Sequence, residues 1–342
     1  MFALDKIEEL QQAKEDMKTT LEEKGVTVTD GAKIDEYPEL IENIGKGFSL
    51  KDYFEGTATS ITLPKGLTKI GDYAFFQWTN LSNVNLPDTV TSIDDYAFGT
   101  CQHLAFISLP SGLTSIDNYA FNNCASLALT SLPSGLTSIG DYAFNNCSKL
   151  ALTSLPSGIT SIGNSAFGNC VSLALTSLPI GITSIRGSAF IGCSNLTLTS
   201  LPSGLTSISD STFYSCPSLA LTSLPSGITY IDYQAFYDCS SLALTSLPSG
   251  LTYIGSSAFQ NCSSLALTSL PSGITSIGSY AFYSCTSLTT LTFEGTPKSI
   301  DSTAFRNCTN LKTINVPWAE GAVANAPWGA TNATINYNYM GG

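Results

Sequence analysis

A 23-residue period governs most of this chain and constrains its fold more than any other feature. Residues 132–154, LPSGLTSIGDYAFNNCSKLALTS, recur with little change, and one phenylalanine marks each of eleven copies. These are Phe75, Phe98, Phe121, Phe144, Phe167, Phe190, Phe213, Phe236, Phe259, Phe282 and Phe305. Length alone suggests about two domains. The fixed period instead predicts one solenoid, in which each unit buries its apolar face against its neighbours.

Most positions of the repeat, counted from Leu132 as position 1, have a physical role. Position 8 is isoleucine in all eleven copies and position 5 is aliphatic in ten, which suits a short strand with inward side chains. Position 10 is Asp, Asn or Ser in nine copies, as expected of a helix N-cap. Positions 12, 13, 16 and 19 (Ala143, Phe144, Cys147 and Leu150) are then spaced for one face of a helical turn or two. Each unit is therefore predicted to hold a short strand and a short helical turn.

The unit ends in A-F-x-x-C-x-x-L, and this motif with its period carries a resemblance. From about Ile61 to Pro317 the chain resembles the BspA-like, or Treponema-type, leucine-rich repeat family. The resemblance implies a right-handed α/β-type leucine-rich repeat solenoid of about eleven rungs. It also implies kinship with proteins that are mostly bacterial surface proteins for adhesion and interaction.

Seven middle repeats depart from the family pattern after the cysteine. That pattern places aliphatic residues as at Leu81, Val84 and Leu86, whereas the middle repeats carry a leucine one residue earlier and a threonine at the usual aliphatic site. The shifted leucines are Leu129, Leu152, Leu175, Leu198, Leu221, Leu244 and Leu267. Because strand side chains alternate with period 2, the shift should reverse their facing. Two alternatives follow: a bulge keeps these leucines inside, or they form an exposed apolar stripe suited to an interface.

Side chains with catalytic or metal-binding chemistry are few, and their positions suit structural roles. All ten cysteines occupy position 16. Neighbouring rungs lie within disulfide distance, but parallel side chains are poorly aimed at each other, so we predict buried free thiols. No converging histidines and no C-x-x-C pair suggest a metal site or a cofactor. His103, the single histidine, lacks a partnered nucleophile, and capping accounts for the aspartates. We interpret the chain as non-enzymatic, with no catalytic residues.

Residues 3–24 are predicted to form a helix. Their seam has the alternating four- and three-residue spacing of a coiled coil, interrupted by one lysine. The seam consists of Ala3, Ile7, Leu10, Lys14, Met17 and Leu21. Two interpretations stay open. The segment is either an amphipathic helix packed on the first rung or a short oligomerising stem, for which a trimer is the expected state. Under the second, Ile7, Leu10, Met17 and Leu21 are the oligomerisation residues.

The segment 25–56 is predicted to hold a short helix and a linker. Gly25 suits the end of the preceding helix and Pro38 the first turn of the next. The stretch LEEKGVTVTDGAKIDEYPELIENI resembles the short N-terminal segment of many tail-fibre and related structural proteins of phages and prophages. The resemblance rests on Gly25-Val26, Tyr37-Pro38 and a final Leu-Ile-x-x-Ile. It implies a virion-type structural protein.

Charge and hydropathy exclude several kinds of partner. The net charge is −12 and no basic cluster occurs, which argues against nucleic acid and against an anionic membrane surface. No apolar run approaches the ~20 residues of a transmembrane helix. The start, MFALDKIEELQQAKED, lacks the features of a Sec signal peptide. We expect a virion or an extracellular, cell-surface location reached without such a signal, and a cytoplasmic location stays open.

Tyrosines concentrate in rungs seven to ten and are the candidate binding residues. They are Tyr214, Tyr230, Tyr233, Tyr237, Tyr253 and Tyr283. Exposed tyrosines among Ser, Asn and Gln suit a protein or surface-glycan receptor, because each offers apolar area with a polar handle. The alternative is ordinary variation at solvent-facing positions.

The chain therefore divides into four segments: a helix (1–24), a short helix and linker (25–56), the solenoid (57–317) and a C-terminal cap (318–342). In the cap, Trp318 and Trp328 are expected to cover the last phenylalanine rung. The first functional hypothesis is a phage or prophage tail-fibre-like protein that presents a recognition surface. The alternative is a bacterial cell-surface BspA-like adhesin for host or matrix binding, and an intracellular interaction scaffold is a third class.

Overall fold

The computed structural model describes residues 58–63, 65–105 and 109–340. Over these residues the chain is a parallel-strand solenoid of about twelve turns with a 23-residue spacing. The strand pairs within them are all parallel. The predicted leucine-rich repeat solenoid is confirmed. The predicted helices at residues 3–24 and 25–56, with the oligomerisation residues Ile7, Leu10, Met17 and Leu21, lie outside the described residues and stay predictions.

One side of the solenoid, here called the strand face, is built from two-residue strands at repeat positions 7 and 8. They are β2 (Lys69–Ile70), β4 (Ser92–Ile93), β5 (Ser115–Ile116), β6 (Ser138–Ile139), β7 (Ser161–Ile162), β8 (Ser184–Ile185), β9 (Ser207–Ile208), β10 (Tyr230–Ile231), β11 (Tyr253–Ile254), β13 (Ser276–Ile277) and β15 (Ser299–Ile300). The isoleucines are buried, whereas position 7 lies on the surface. A six-stranded sheet is formed by β2, β4, β5, β6, β7 and β8, and a five-stranded sheet by β9, β10, β11, β13 and β15.

The join between these two sheets is bridged differently from other rungs. Elsewhere the position 9 N–H donates to the isoleucine carbonyl of the preceding rung, as Arg186 N does to Ile162 at 3.0 Å. At the join the Ser209 hydroxyl donates to the Ile185 carbonyl at 3.1 Å. The strand face therefore has two halves joined by this side chain, while backbone bonds such as that from Phe190 N to Thr212 O still link the two rungs elsewhere.

A second set of strands occurs only towards the two ends of the described solenoid. It comprises β1 (Ser60–Thr62), β3 (Asn83–Asn85), β12 (Ser269–Leu270), β14 (Thr290–Phe293), β16 (Thr313–Asn315) and β17 (Thr334–Asn336). Strands β1 and β3 pair at one end, and β12, β14, β16 and β17 pair in that order at the other.

The middle repeats replace this second strand with a bend, and this resolves the question of the shifted leucines. Leu129 and Leu152 are fully buried, as are their equivalents as far as Leu244, and Leu267 is 2% exposed. The threonine after each is exposed, and from Thr130 to Thr245 it lies at a bend, whereas Thr268 directly precedes strand β12. Because the backbone leaves the extended conformation there, strict alternation does not apply. The shifted leucines therefore lie in the core, because the irregular backbone departs from strand alternation. The alternative of an exposed leucine stripe is wrong.

The helical turn predicted for each rung is also wrong, since the described residues contain no helix. Positions 11 and 15 have a positive φ, for example 57° at Tyr142 and 61° at Asn146. A left-handed residue every fourth position interrupts a right-handed helix. The intervening chain forms successive turns, here called the turn face, from positions 10 to 15. Alternate N–H groups bond to the next rung, as Phe144 N does to Ala166 O at 2.8 Å.

Position 10 caps a neighbouring rung rather than a helix. The carboxylate of Asp95 accepts the backbone N–H of Asn118 at 2.8 Å, and the Asn118 side chain accepts that of Asp141 at 2.8 Å. Asp141 in turn accepts the N–H of Asn164 at 2.7 Å. The Asp and Asn preference therefore reflects a ladder along the solenoid, in which one rung's side chain satisfies the next rung's backbone.

Phenylalanine and cysteine ladders fill the core between the two faces. Consecutive phenylalanine rings stack with centroids 5.1 to 5.7 Å apart. All ten cysteines are free and buried, as predicted. Each thiol donates to a phenylalanine carbonyl 26 residues earlier, as Cys147 does to Phe121 at 3.1 Å. Each thiol thus both donates a hydrogen bond to a buried carbonyl and fills space in the core.

The C-terminal segment closes the solenoid. Trp328 is fully buried and Trp318 is 6% exposed, and both contact Phe293. The Trp328 carbonyl accepts the N–H of Phe305, the last phenylalanine of the ladder, at 2.9 Å. This segment therefore pairs with the last rung as another rung would.

Candidate binding surface

Two of the predicted tyrosines form an aromatic step on the strand face. Tyr230 and Tyr253 occupy position 7 of β10 and β11 and lie in register with each other. Their rings stack with centroids 4.3 Å apart and planes 10° apart. The residues in register on either side are Ser207 and Ser276. Stacking covers one face of each ring, and a serine is too small to cover the other.

The step also carries polar groups for a partner. Tyr230 is 37% exposed. Partial desolvation of its hydroxyl, together with the nearby Asp232 and Tyr253, raises the pKa of Tyr230 to about 12. A phenol is protonated at neutral pH even at its ordinary pKa, so the Tyr230 hydroxyl carries a hydrogen-bond donor. An aromatic surface with a donor suits recognition of polar macromolecules.

A third predicted residue, Tyr233, is the most exposed tyrosine side chain among the large hydrophobic residues of the described chain, at 47%. It occupies position 10 of the same rung as Tyr230. Its backbone N–H bonds to the Asp232 carboxylate at 2.7 Å. Local capping by Asp232 thus takes over the role that an Asp or Asn at position 10 plays in earlier rungs.

The other three predicted tyrosines lie on the turn face at position 14. Tyr214 and Tyr237 stack with centroids 4.6 Å apart. Tyr283 accepts a hydrogen bond from the Asn307 amide at 2.7 Å and contacts Tyr280 edge to face. The structure therefore divides the six candidates between the two faces. It brings together two stacked pairs, one on each face.

A second tyrosine ladder, which the sequence analysis missed, occupies position 11 of the first four rungs. Tyr73, Tyr96, Tyr119 and Tyr142 stack with centroids 4.4 to 4.8 Å apart. The signal was present as the recurring Tyr-Ala-Phe of those rungs. Burial raises the pKa of Tyr96 to about 12.

A groove of about 500 Å³ runs over the first six rungs of the strand face, beside that ladder. Its floor includes the buried Ile116 and Ile139, and Lys69 and Arg186 stand at its two ends. We call it the acidic groove, since its lining also contains Asp72, Asp94, Asp95, Asp117 and Asp141. The sequence analysis assigned these aspartates to capping and did not predict the groove.

Charge in the acidic groove is only partly balanced. Lys69 pairs with Asp94, and Arg186 pairs with Asp141 at 3.5 Å. Partial burial, with Asp94 and Asp95 close by, raises the pKa of Asp117 above its ordinary value. A nearby positive charge would favour the ionised form of Asp117.

The single histidine and the cysteine thiols are held in structural contacts. His103 Nδ1 lies 2.5 Å from the Thr79 carbonyl, to which it can donate. Burial raises the pKa of the thiols, to about 12 at Cys101 and Cys216. Across the described ranges, no three His, Cys, Asp or Glu side chains are arranged to hold a metal ion. Within the same ranges, no helix is long and apolar enough to cross a membrane.

Comparison with known proteins relates the whole repeat region to one family. A six-copy profile described as the BspA type leucine rich repeat region matches residues 50–174, 114–243 and 231–320. A solved leucine rich cell surface protein from Faecalibacterium prausnitzii A2-165 is 30% identical, with 82% of this chain and 79% of that chain covered and a TM-score of 0.53. A leucine-rich repeat protein from Bacteroides ovatus ATCC 8483 is 26% identical, with 82% and 84% covered and a TM-score of 0.49. No curated protein matches. These comparisons give no support to the tail-fibre interpretation.

Proposed function

The chain belongs to the BspA-type leucine-rich repeat family, and from that premise we propose that it is a non-enzymatic adhesion protein of a bacterial cell surface. The family's solenoids are typically non-enzymatic, which supports a binding role. The Faecalibacterium relative is described as a cell surface protein, which supports the location. The alternative hypothesis of a host- or matrix-binding adhesin thus replaces the tail-fibre hypothesis.

The single observation that carries the binding role is the aromatic step of Tyr230 and Tyr253. It projects from a face otherwise made of serines at position 7 in the second half of the solenoid. Tyrosine supplies rigid contact area at low entropic cost, and exposed pairs of this kind act as anchors in interfaces. The partner is a protein or a glycan of a host surface or matrix.

An array printed with extracellular-matrix proteins and with neutral and sialylated glycans tests this function. We expect the purified full chain to bind at least one class of spot. The Tyr230→Ala/Tyr253→Ala variant should lose at least tenfold in affinity for that spot, since anchor truncation typically costs 2 kcal/mol or more, that is, roughly thirtyfold.

The matched control is Tyr214→Ala/Tyr237→Ala, which removes the stacked pair of the turn face. We expect it to bind as the unmodified chain does. Loss of binding in the control alone would overturn the assignment to the strand face, and an array without any bound spot would overturn the adhesion role.

A further inference from the structure

We propose that the ring face of Tyr230 that turns away from Tyr253, here called the platform, stacks against a neutral pyranose of a partner glycan. The inference rests on the proposed function, because it names the ligand class for the aromatic step of these two residues. It selects the glycan of the two partner classes and assigns one side of the step to it.

The two outer faces of the aromatic step are unequal. Tyr230 is 37% exposed, and Ser207, which lies in register beside the platform, is exposed as well. On the other side Tyr253 and Ser276 are only partly exposed, and the Ser276 hydroxyl accepts a hydrogen bond from Ser299 at 3.0 Å. Because Ser207 is small, the platform is open over the thickness of one rung, ~4.8 Å. The more open outer face therefore belongs to Tyr230.

The rung beside the platform has two backbone donors without an acceptor in the described chain. Ser207 belongs to β9, which stands at the join between the two sheets of the strand face. The Thr229 N–H of the next rung donates to the Thr206 carbonyl at 2.9 Å, but the N–H of Thr206 itself has no acceptor. The N–H of Ser209 has none either, since the Ser209 hydroxyl takes the Ile185 carbonyl. Every other pair of neighbouring rungs on the described strand face keeps at least one of these two bonds.

Side chains of both hydrogen-bonding kinds border the platform. The Tyr230 hydroxyl is a donor, and the Asp232 carboxylate lies close to it. One oxygen of Asp232 accepts the N–H of Tyr233 at 2.7 Å, which leaves the other for a ligand. Thr206 and Ser207 add exposed hydroxyls. A pyranose has an apolar C–H face and a rim of hydroxyls that donate and accept, so it matches a flat ring with donors and acceptors around it.

The apolar area at the platform suits one sugar ring better than a protein. At 37% exposure, a tyrosine side chain of ~200 Å² leaves about 75 Å² open. A specific protein interface buries ~800 Å² on each partner around a largely apolar core. Apart from Tyr253, the position 7 neighbours are serines, and position 6 holds Thr206, Thr229 and Thr252. Side chains of this kind do not supply an apolar core around Tyr230.

Charge favours a neutral glycan over a sialylated or sulfated one. Asp232 shares a rung with Tyr230, and Asp210 shares one with Ser207. The cation closest by rung, Arg186, reaches back to Asp141 at 3.5 Å. An anionic sugar would therefore meet two carboxylates, and like charges brought together in this way weaken binding.

Biolayer interferometry of the full chain on immobilised N-acetyllactosamine, chitobiose, mannobiose and sialylated N-acetyllactosamine tests the proposal. We expect binding to at least one neutral probe and at least tenfold weaker binding to the sialylated one. Ser207→Ile should weaken binding to the neutral probe at least tenfold, because the branched side chain covers the platform. Tyr230→Phe keeps the ring and should weaken binding only two- to tenfold, the range of one hydrogen bond.

The matched control is Ser276→Ile, which makes the same substitution in register on the other side of the step, against Tyr253. We expect less than a twofold effect. Equal weakening by the two isoleucine variants would overturn the assignment to the platform of Tyr230. Binding to the sialylated probe as tight as to every neutral probe would overturn the choice of a neutral sugar.

Two further measurements keep the outcome interpretable. Thermal melting checks that both isoleucine variants fold, as expected of a β-branched residue in the strands β9 and β13. Competition by the free methyl glycoside of the bound sugar, on the unmodified chain, does not depend on any variant and should abolish binding.

Failure of the glycan and failure of the adhesion role are distinguishable. A chain that binds no neutral probe, yet binds a matrix protein equally before and after enzymatic removal of its glycans, would overturn the glycan and leave the adhesion role standing. A chain that binds neither glycans nor matrix proteins would overturn both.

Discussion

At the scale of the residue, the cysteine ladder turns a reactive side chain into a core residue. Each Sγ donates to a phenylalanine carbonyl at 2.9 to 3.1 Å, as Cys308 does to Phe282 and Cys170 to Phe144. Burial raises the pKa of Cys308 to about 12, and that of Cys170 well above its ordinary value. Reactivity belongs to the thiolate, so these thiols are protected twice, by exclusion of reagent and by protonation.

We therefore expect no thiol of the described region to react with an aromatic disulfide reagent in the native protein at pH 8, because folded-state pKa values far above 8 leave them protonated. All ten should react after denaturation in guanidinium. Absorbance of the released chromophore counts them. Several rapidly reacting thiols in the native state would contradict the buried ladder.

Sequence analysis identified these thiols correctly but misassigned position 10. The period alone shows that the cysteines recur at one repeat position. Their side chains must then point in parallel, which disfavours disulfides and predicts free buried thiols. The Asp and Asn of position 10 have the composition of an N-cap, yet Asp95 and Asn118 cap the next rung. An Asp or Asn preference indicates that a backbone N–H needs an acceptor. It does not indicate which element carries that N–H.

At the scale of the element, the shifted leucine accompanies the loss of the second strand in six of the seven middle rungs. Rungs with an aliphatic residue six positions after the core cysteine or its equivalent carry a strand, as β3 does at Val84 and β16 at Ile314. Rungs with leucine one position earlier bend at the following threonine, except the rung of Leu267, which keeps the short strand β12. The sequence left two facings open because periodicity predicts facing only while the backbone stays extended.

We expect Leu175→Ala to lower the free energy of unfolding by roughly 2 to 5 kcal/mol, because a fully buried side chain leaves a cavity. Chemical denaturation of the full chain measures the change. Ile180→Ala is the control, since Ile180 is 84% exposed, and its effect should lie within about 0.5 kcal/mol. Equal effects of the two substitutions would contradict the inward facing of Leu175.

At the scale of the whole molecule, the ladders that hold a rung in place join it to its immediate neighbours, so the period should be modular. Deletion of residues 201–223 removes one complete period between the acidic groove and the aromatic step. We expect the shortened chain to fold, with an unchanged circular dichroism spectrum per residue and a monodisperse elution profile.

The control removes residues 201–211, about half a period. It brings unlike repeat positions into register, and we expect aggregation because the phenylalanine and leucine ladders no longer continue. A soluble, folded half-period deletion would contradict the registered ladder as the basis of the fold.

The architecture was predictable at this scale because the period is redundant, with eleven copies of one constraint. The proposed binding surface and the acidic groove were less predictable from the sequence. The step at Tyr230 and Tyr253 was proposed from composition, but its stacking needed the register of β10 and β11. The acidic groove could not be predicted, because its lining runs from Lys69 to Arg186, and only the folded register aligns residues that far apart in sequence along one face.

The direction of the hydrogen bonds between rungs has a mechanical consequence for the proposed adhesion role. These bonds run from rung to rung, as between Phe144 and Ala166. Tension between the chain ends would therefore load the rungs in series, and they would peel away one at a time. Each release frees 23 residues, about 75 Å of slack at ~3.3 Å per residue. Such a chain would lengthen stepwise under tension, one rung at a time.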